Sequence, residues 1–130
     1  IIRLEESEIE GAEVVLISYG ITSRVARAAL AKAREEGRKV GWLRLITLWP
    51  FPEEKIRNLA KSIKGFVVPE INYGQVVFDV ERCCHGEANV VLVPHGGAGV
   101  HHPADILDAL EYAAKEKKMN RNQKTRWLFQ

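Results

Sequence analysis

Four nearly unbroken apolar runs, each followed by a helical pattern or a turn, restrict this chain to few folds. The first, Ala12 to Tyr19 (AEVVLISY), is apolar on successive residues rather than alternate ones, so both of its faces need cover, as in a parallel sheet. Gly20 ends it. Thr22 and Ser23 then offer hydroxyls to cap a helix in which Val25, Ala26, Ala29, Leu30 and Ala33 share one arc, while Arg24, Arg27 and Arg34 face the other way. Gly37 is placed to close that helix in the left-handed conformation, and Val40 to Ile46 supplies a second strand, which completes a βαβ unit.

Pro50 and Pro52 break the chain, and Ile56, Leu59, Ala60 and Ile63 keep the spacing of a second amphipathic helix. A short strand, Gly65 to Pro69, leads into the turn-rich stretch Glu70 to Gly74. From Gln75 to Cys84 a helical face of Val76, Val77, Val80, Cys83 and Cys84 predicts a helix, with a strand as the alternative because of the β-branched content. Asn89 to Val93 is a fourth strand, and a loop rich in glycine and histidine, His95 to His102, follows it. Pro103 suits a first helical position, and Ile106, Leu107, Leu110, Ala113 and Ala114 mark a last helix ending near Lys117. The alternation predicts a mostly parallel sheet with helices on both sides, joined by right-handed crossovers.

At 130 residues the chain has the size of one domain and can bury a core without a disulfide or metal staple. Its net charge of +2 is too small to point to nucleic acid. No apolar run has the length of a membrane span, and Glu5, Glu6 and Glu8 stand where a signal peptide is basic, so a cytoplasmic protein is expected, with no membrane partner. Cys83 and Cys84 are adjacent, a poor geometry for a mutual disulfide, and two thiols cannot hold an iron–sulfur cluster; buried, reduced side chains are expected. The first residue is Ile1 rather than Met, which suggests a piece of a longer protein.

Sites of chemistry are few. Gly20, Thr22 and Ser23 lie where a strand's carboxyl end meets a helix start, a place that can receive an anion, although simple helix capping accounts for the same residues. The His95 to His102 loop could hold phosphate or metal, yet its spacing suits neither, and a flexible surface connection is the preferred reading. The carboxylates Glu35, Glu36, Glu53 and Glu54 sit at helix ends, and Ser18 and Ser23 have no nucleophile elbow around them. No catalytic residue and no metal ligand is assigned. The tail from 118 to 130 is basic, with Trp127, Leu128 and Phe129 at its end; it reads as a docking arm on another subunit or as disorder.

The segment Leu43 to Pro52, LRLITLWPFP, followed by Glu53-Glu54-Lys55-Ile56, resembles the alpha chains of 2-oxoacid:ferredoxin oxidoreductases. The likeness continues in Gly11 to Val15, in Ser18-Tyr19-Gly20 with Thr22-Ser23, and in Val68 to Gln75 (VPEINYGQ), and it spans roughly residues 10 to 112. The resemblance implies an α/β fold of the transketolase C-terminal kind: a three-layer α/β/α sandwich whose mostly parallel sheet has one antiparallel strand. Residues 1–117 would form that domain, 1–10 being a linker from a preceding one. It implies an accessory domain of the alpha subunit, which positions subunits while catalysis occurs elsewhere. The family oxidatively decarboxylates a 2-oxoacid to an acyl-CoA with thiamine diphosphate, Mg2+, coenzyme A and iron–sulfur clusters, and passes the electrons to ferredoxin. None of these cofactors is expected on this domain alone. The implied partners are the other alpha-subunit domains, the beta subunit and, where present, gamma and delta subunits. Which 2-oxoacid is used stays open.

Within the motif, Trp49, Pro50, Phe51 and Pro52 form a rigid aromatic corner beyond a strand's carboxyl end, suited to an interface or to packing over the next helix. Asn72 and Gln75 are side-chain amides expected at the same edge, able to satisfy a partner's backbone. The alternative to the accessory role is a self-contained module that binds an anion or nucleotide at Gly20 to Ser23.

Overall fold

A computed structural model describes residues 1–71, 76–94, 101–115 and 125–127, the last three as backbone only. The elements are β1 (Leu4–Ser7), β2 (Val14–Tyr19), α1 (Thr22–Glu35), β3 (Val40–Leu45), α2 (Glu53–Ala60), β4 (Gly65–Glu70), α3 (Val76–Cys84), β5 (Asn89–Pro94), α4 (Pro103–Lys115) and β6 (Thr125–Trp127). They build one sheet in the order β1-β3-β2-β4-β5-β6, in which β1 runs antiparallel to β3 and the other pairs are parallel.

The continuous apolar runs have the physical cause expected of them. In β2, Val15 and Ile17 enter a core shared with α2 and α3, whereas Val14 and Leu16 enter one shared with α1 and α4. Phe66 and Val68 against Val67 in β4, and Val90 and Leu92 against Val91 and Val93 in β5, divide the same way. A strand with helices on both faces has no polar side, so its sequence does not alternate. Gly65 lets α4 close on the sheet: a Cβ there would meet the Cβ of Ala113 at 3.1 Å. Cys83 and Cys84 are buried and free, as expected, and burial pushes both thiols above their ordinary pKa.

Several local expectations change. Leu4–Ser7 lies in the stretch expected to be a linker, yet it is the antiparallel edge strand β1, its register set by Leu4 opposite Leu45 and Ser7 opposite Trp42. Its two central residues are exposed, so an edge strand of this kind leaves no apolar signature. Arg34, expected to face solvent, is half-buried: its guanidinium donates to the backbone oxygens of Ser7 and Val40 and pairs with Glu8 at 2.6 Å, which holds β1 to the end of α1. Gly37 does close α1, with φ +82°; its N–H donates to Arg34 O and that of Arg38 to Ala33 O, a Schellman motif. Ile63 is buried but lies past the end of α2. At the other edge Thr125–Trp127, within the expected tail, pairs with β5 as β6. No described helix is long and apolar enough to cross a membrane.

Candidate functional site

The carboxyl edge of the sheet gathers the features that no core requirement explains. After β2 the chain crosses to β3 on one side, then returns past β2 to β4 on the other, so the strand order reverses between β2 and β4. Ligands of open α/β sheets settle at such a reversal, outside the strands' carboxyl ends. Here β2 and β4 pair only from Val14–Gly65 to Leu16–Val67, although β2 continues to Tyr19 beside β3 and β4 to Glu70 beside β5. The two central strands therefore part at that end.

Glu70 fills the gap. Its side chain is fully buried; Oε1 accepts from Tyr19 Oη at 2.9 Å and from Val76 N at 2.8 Å, and Oε2 accepts from Val77 N at 2.8 Å. A carboxylate at the first amides of α3 satisfies donors that a helix start leaves open and suits the positive end of the helix dipole. Burial, with Glu70's charge next, raises the Tyr19 phenol well above its usual pKa, so the hydroxyl stays a donor. Nothing in the residue pattern had singled out Glu70 as a site residue. The available signal was an acidic residue closing an apolar strand just ahead of a helix.

The turn from β2 into α1 is arranged differently. Thr22 and Ser23 are not caps: the N-cap is Ile21, which makes no side-chain capping bond, and both hydroxyl residues lie inside the helix and are buried. Thr22 Oγ1 donates to Tyr19 O at 2.6 Å and accepts from Tyr19 N at 3.0 Å, so it is spent on the turn. The N–H groups of Ser23 and Arg24 donate to Gly20 O and Ile21 O. Ser23 Oγ lies 3.0 Å from Ser18 Oγ, which accepts from Trp42 Nε1 at 2.8 Å. Ser23 also lines an open cleft of about 370 Å³ with Gly20, Ile21, Arg24, Arg27 and Arg44. Arg27 stacks 5.6 Å from the centre of the Trp42 ring, and Arg44 pairs with Glu5 at 2.7 Å.

The aromatic corner divides. Trp49 is 72% exposed with Pro50 beside it, whereas Phe51 is 6% exposed and belongs to the core, and Pro52 is buried as the N-cap of α2. Leu48, Trp49 and Phe51 line a cleft of about 320 Å³ with Val76 and Asp79 of α3. Ile21, Ile46, Ile71 and Phe78, each 44% exposed or more, also stand at strand ends or helix starts along this edge. Asn72 and Gln75 lie outside the described residues, as do 95–100 of the histidine loop. His101, expected on a surface connection, is instead buried, with Nε2 2.7 Å from Val93 O. Among the described residues no group of three or more His, Cys, Asp or Glu side chains is placed to hold a metal ion.

Comparison with known proteins agrees with this architecture. Residues 12–106 match pyruvate:ferredoxin oxidoreductase core domain II. The ketoisovalerate oxidoreductase subunit VorB of Methanothermobacter marburgensis is 44% identical over 115 residues, covering 88% of this chain and 32% of that protein. Among solved structures, a 2-oxoglutarate:ferredoxin oxidoreductase from Magnetococcus marinus, with 2-oxoglutarate, coenzyme A and succinyl-CoA bound, is similar with TM-score 0.70 and 24% identity over 86% of this chain and 20% of that one. A split-gene transketolase in an inactive beta4 tetramer is similar with TM-score 0.72 and 22% identity, over 87% and 42%. These last two likenesses show the transketolase-like fold. The chain spans about a third of the length of the curated relatives it matches. With the match to domain II running from the start of β2 into α4, the chain belongs to the 2-oxoacid:ferredoxin oxidoreductase family.

Proposed function

We propose that this chain is the accessory domain of the alpha subunit of a 2-oxoacid:ferredoxin oxidoreductase, docking by the carboxyl edge of its sheet onto the rest of that subunit. The observation that carries the reading is the division of the aromatic corner: Phe51 anchors it in the core, and Trp49 is held out at 72% exposure beside the first turn of α3. Large apolar side chains collected at one end of a domain mark an interaction surface. The occupant is the part of the alpha subunit that corresponds to the two-thirds of the curated relatives outside the matched region.

The complex would act in the cytoplasm, converting a 2-oxoacid to an acyl-CoA with thiamine diphosphate, Mg2+ and coenzyme A, and would pass electrons through iron–sulfur clusters to ferredoxin. The similar structure from Magnetococcus marinus, which holds coenzyme A and succinyl-CoA, supports the class of reaction. The described residues do not fit an iron–sulfur cluster: both thiols are sealed in the core, and Cys84 Sγ is engaged by Ala88 N at 3.3 Å and Ala88 O at 3.2 Å. The clusters would be carried by other parts of the assembly.

Trp49→Ala, placed in the full alpha subunit, tests the docking. Its exposure predicts a stability change within about 0.5 kcal/mol, but binding to the partner domains and subunits should weaken about tenfold or more, as for an aromatic interface anchor. Unchanged assembly, measured by sedimentation or size exclusion, would sink the proposal. Phe51→Ala is the contrasting control, with a loss of about 3 to 5 kcal/mol of folding stability.

A further inference from the structure

The arginine cleft beside α1 carries a site that the docking role does not need. Proton bookkeeping defines its chemistry. Ser18 is fully buried and its oxygen accepts the Trp42 indole N–H; either hydroxyl of the Ser18–Ser23 pair can donate to the other, and donation by Ser18 gives its hydrogen an acceptor. Ser23, 6% exposed, is then an acceptor from Ser18 with its own hydrogen left over, and it lines the cleft. Arg24, Arg27 and Arg44 line the same cleft, and no acidic residue does. Glu5 pairs with Arg44 at 2.7 Å. The backbone N–H groups of Ser23 and Arg24 are already used within the turn, so the capacity for an anion belongs to these side chains rather than to the helix end. Arginine's planar donor fork matches phosphate oxygens, and a neutral hydroxyl adds a further donor.

We propose that this cleft binds a phosphoryl anion, either free or as the phosphate end of a nucleotide, between Arg24, Arg27 and Arg44 with Ser23 donating one hydrogen bond. Glu5 is the internal counter-ion that the ligand displaces from Arg44. Ile21 of the docking edge also lines the cleft, but the anion's proposed donors are not the residues tested through Trp49, so the two proposals can fail separately.

Calorimetry on the full chain at low ionic strength, with pyrophosphate, orthophosphate and ADP as probes, tests it. Pyrophosphate should bind with a Kd on the order of 1 mM or tighter, and Arg24→Gln and Arg27→Gln should each weaken it about tenfold. Ser23→Ala should weaken it several-fold, and Glu5→Gln should tighten it because Arg44 is released. Arg24 is exposed, so its variant retains the fold, which circular dichroism verifies. ADP binding tighter than pyrophosphate identifies a nucleotide as the ligand; equal binding identifies a free phosphoryl anion. No heat with any probe at several millimolar, or variants indistinguishable from the parent, overturns the proposal.

Discussion

The turns that lead into α1 and α3 stand side by side on one sheet edge and solve the same problem in opposite ways. Each must deal with the open amides of a helix start and with the polar groups of a strand's end. At α3 the chain supplies its own anion: Glu70 reaches from β4 to Val76 and Val77 and takes the Tyr19 hydroxyl as well. At α1 there is no internal carboxylate; Thr22 folds back on Tyr19, and arginines gather outside. The turn into α3 is closed by a carboxylate, whereas the turn into α1 satisfies its own backbone and, on the proposal above, leaves side chains for an outside anion. A sheet's reversal point can therefore be closed structurally while the neighbouring turn stays available.

The largest expected effect tests the closed side. Glu70→Ala removes an acceptor shared, among the described residues, by three donors, two of them buried backbone amides, and should cost about 4 kcal/mol or more at about 1.5 to 3 kcal/mol per charge-assisted bond, less partial hydration. Urea unfolding measures it; a loss under about 1 kcal/mol would mean that Glu70 does not close the gap. Ser18→Ala, on the open side, removes the acceptor of the Trp42 indole and the bond to Ser23 Oγ and should cost about 2 kcal/mol. A variant as stable as the parent would contradict the hydrogen-bond chain. A smaller effect depends on pH. Burial raises the pKa of Cys83, Cys84 and Tyr19 in the fold, so the unfolded chain loses those protons first. Stability is then full below the ordinary thiol value of about 8.5 and falls as pH rises through it, with the phenol adding to the fall above about 10. Denaturant midpoints from pH 7 to 10.5 should show this slope, and Cys84→Ala should make it shallower; a flat profile in both would refute it. Smallest of all, Arg24→Gln should leave stability within about 0.5 kcal/mol, because an exposed charge contributes little to the fold.

What could be read from sequence follows from what two-sided burial does to a strand. The segments β2, β4 and β5 announce themselves because both faces are packed, β3 by its apolar run although Trp42 and Arg44 are only half-buried, and α3 was recoverable because Val76, Val77, Val80, Cys83 and Cys84 all turn inward. Edge strands carry no such mark: Leu4-Glu5-Glu6-Ser7 reads as a polar lead-in, and Thr125-Arg126-Trp127 as a basic tail. The resemblance implied an antiparallel strand without locating it. The motif residues were found as words, but not their division of labour. In Trp-Pro-Phe-Pro the backbone turns sharply and follows neither a helical nor a strand period, so nothing in the residue types says that Phe51 goes in and Trp49 stays out. Glu70 was legible in kind, as an acid ahead of a helix, but its meeting with Tyr19 depends on two strands 51 positions apart in sequence.

The parting of β2 and β4 beyond Val67 makes the centre of this sheet a zip stopped halfway. Below the stop, amides on the facing edges are locked from both sides and should exchange with deuterium only on global unfolding. Above it, the tie across the opening is a phenol–carboxylate contact of 2.9 Å, which can lengthen or reform without disturbing a ladder bond. The domain thus combines a stiff base with a rim that can adjust its width. For a body that must seat against neighbours, such a rim takes up small misfits locally, and the core does not register them.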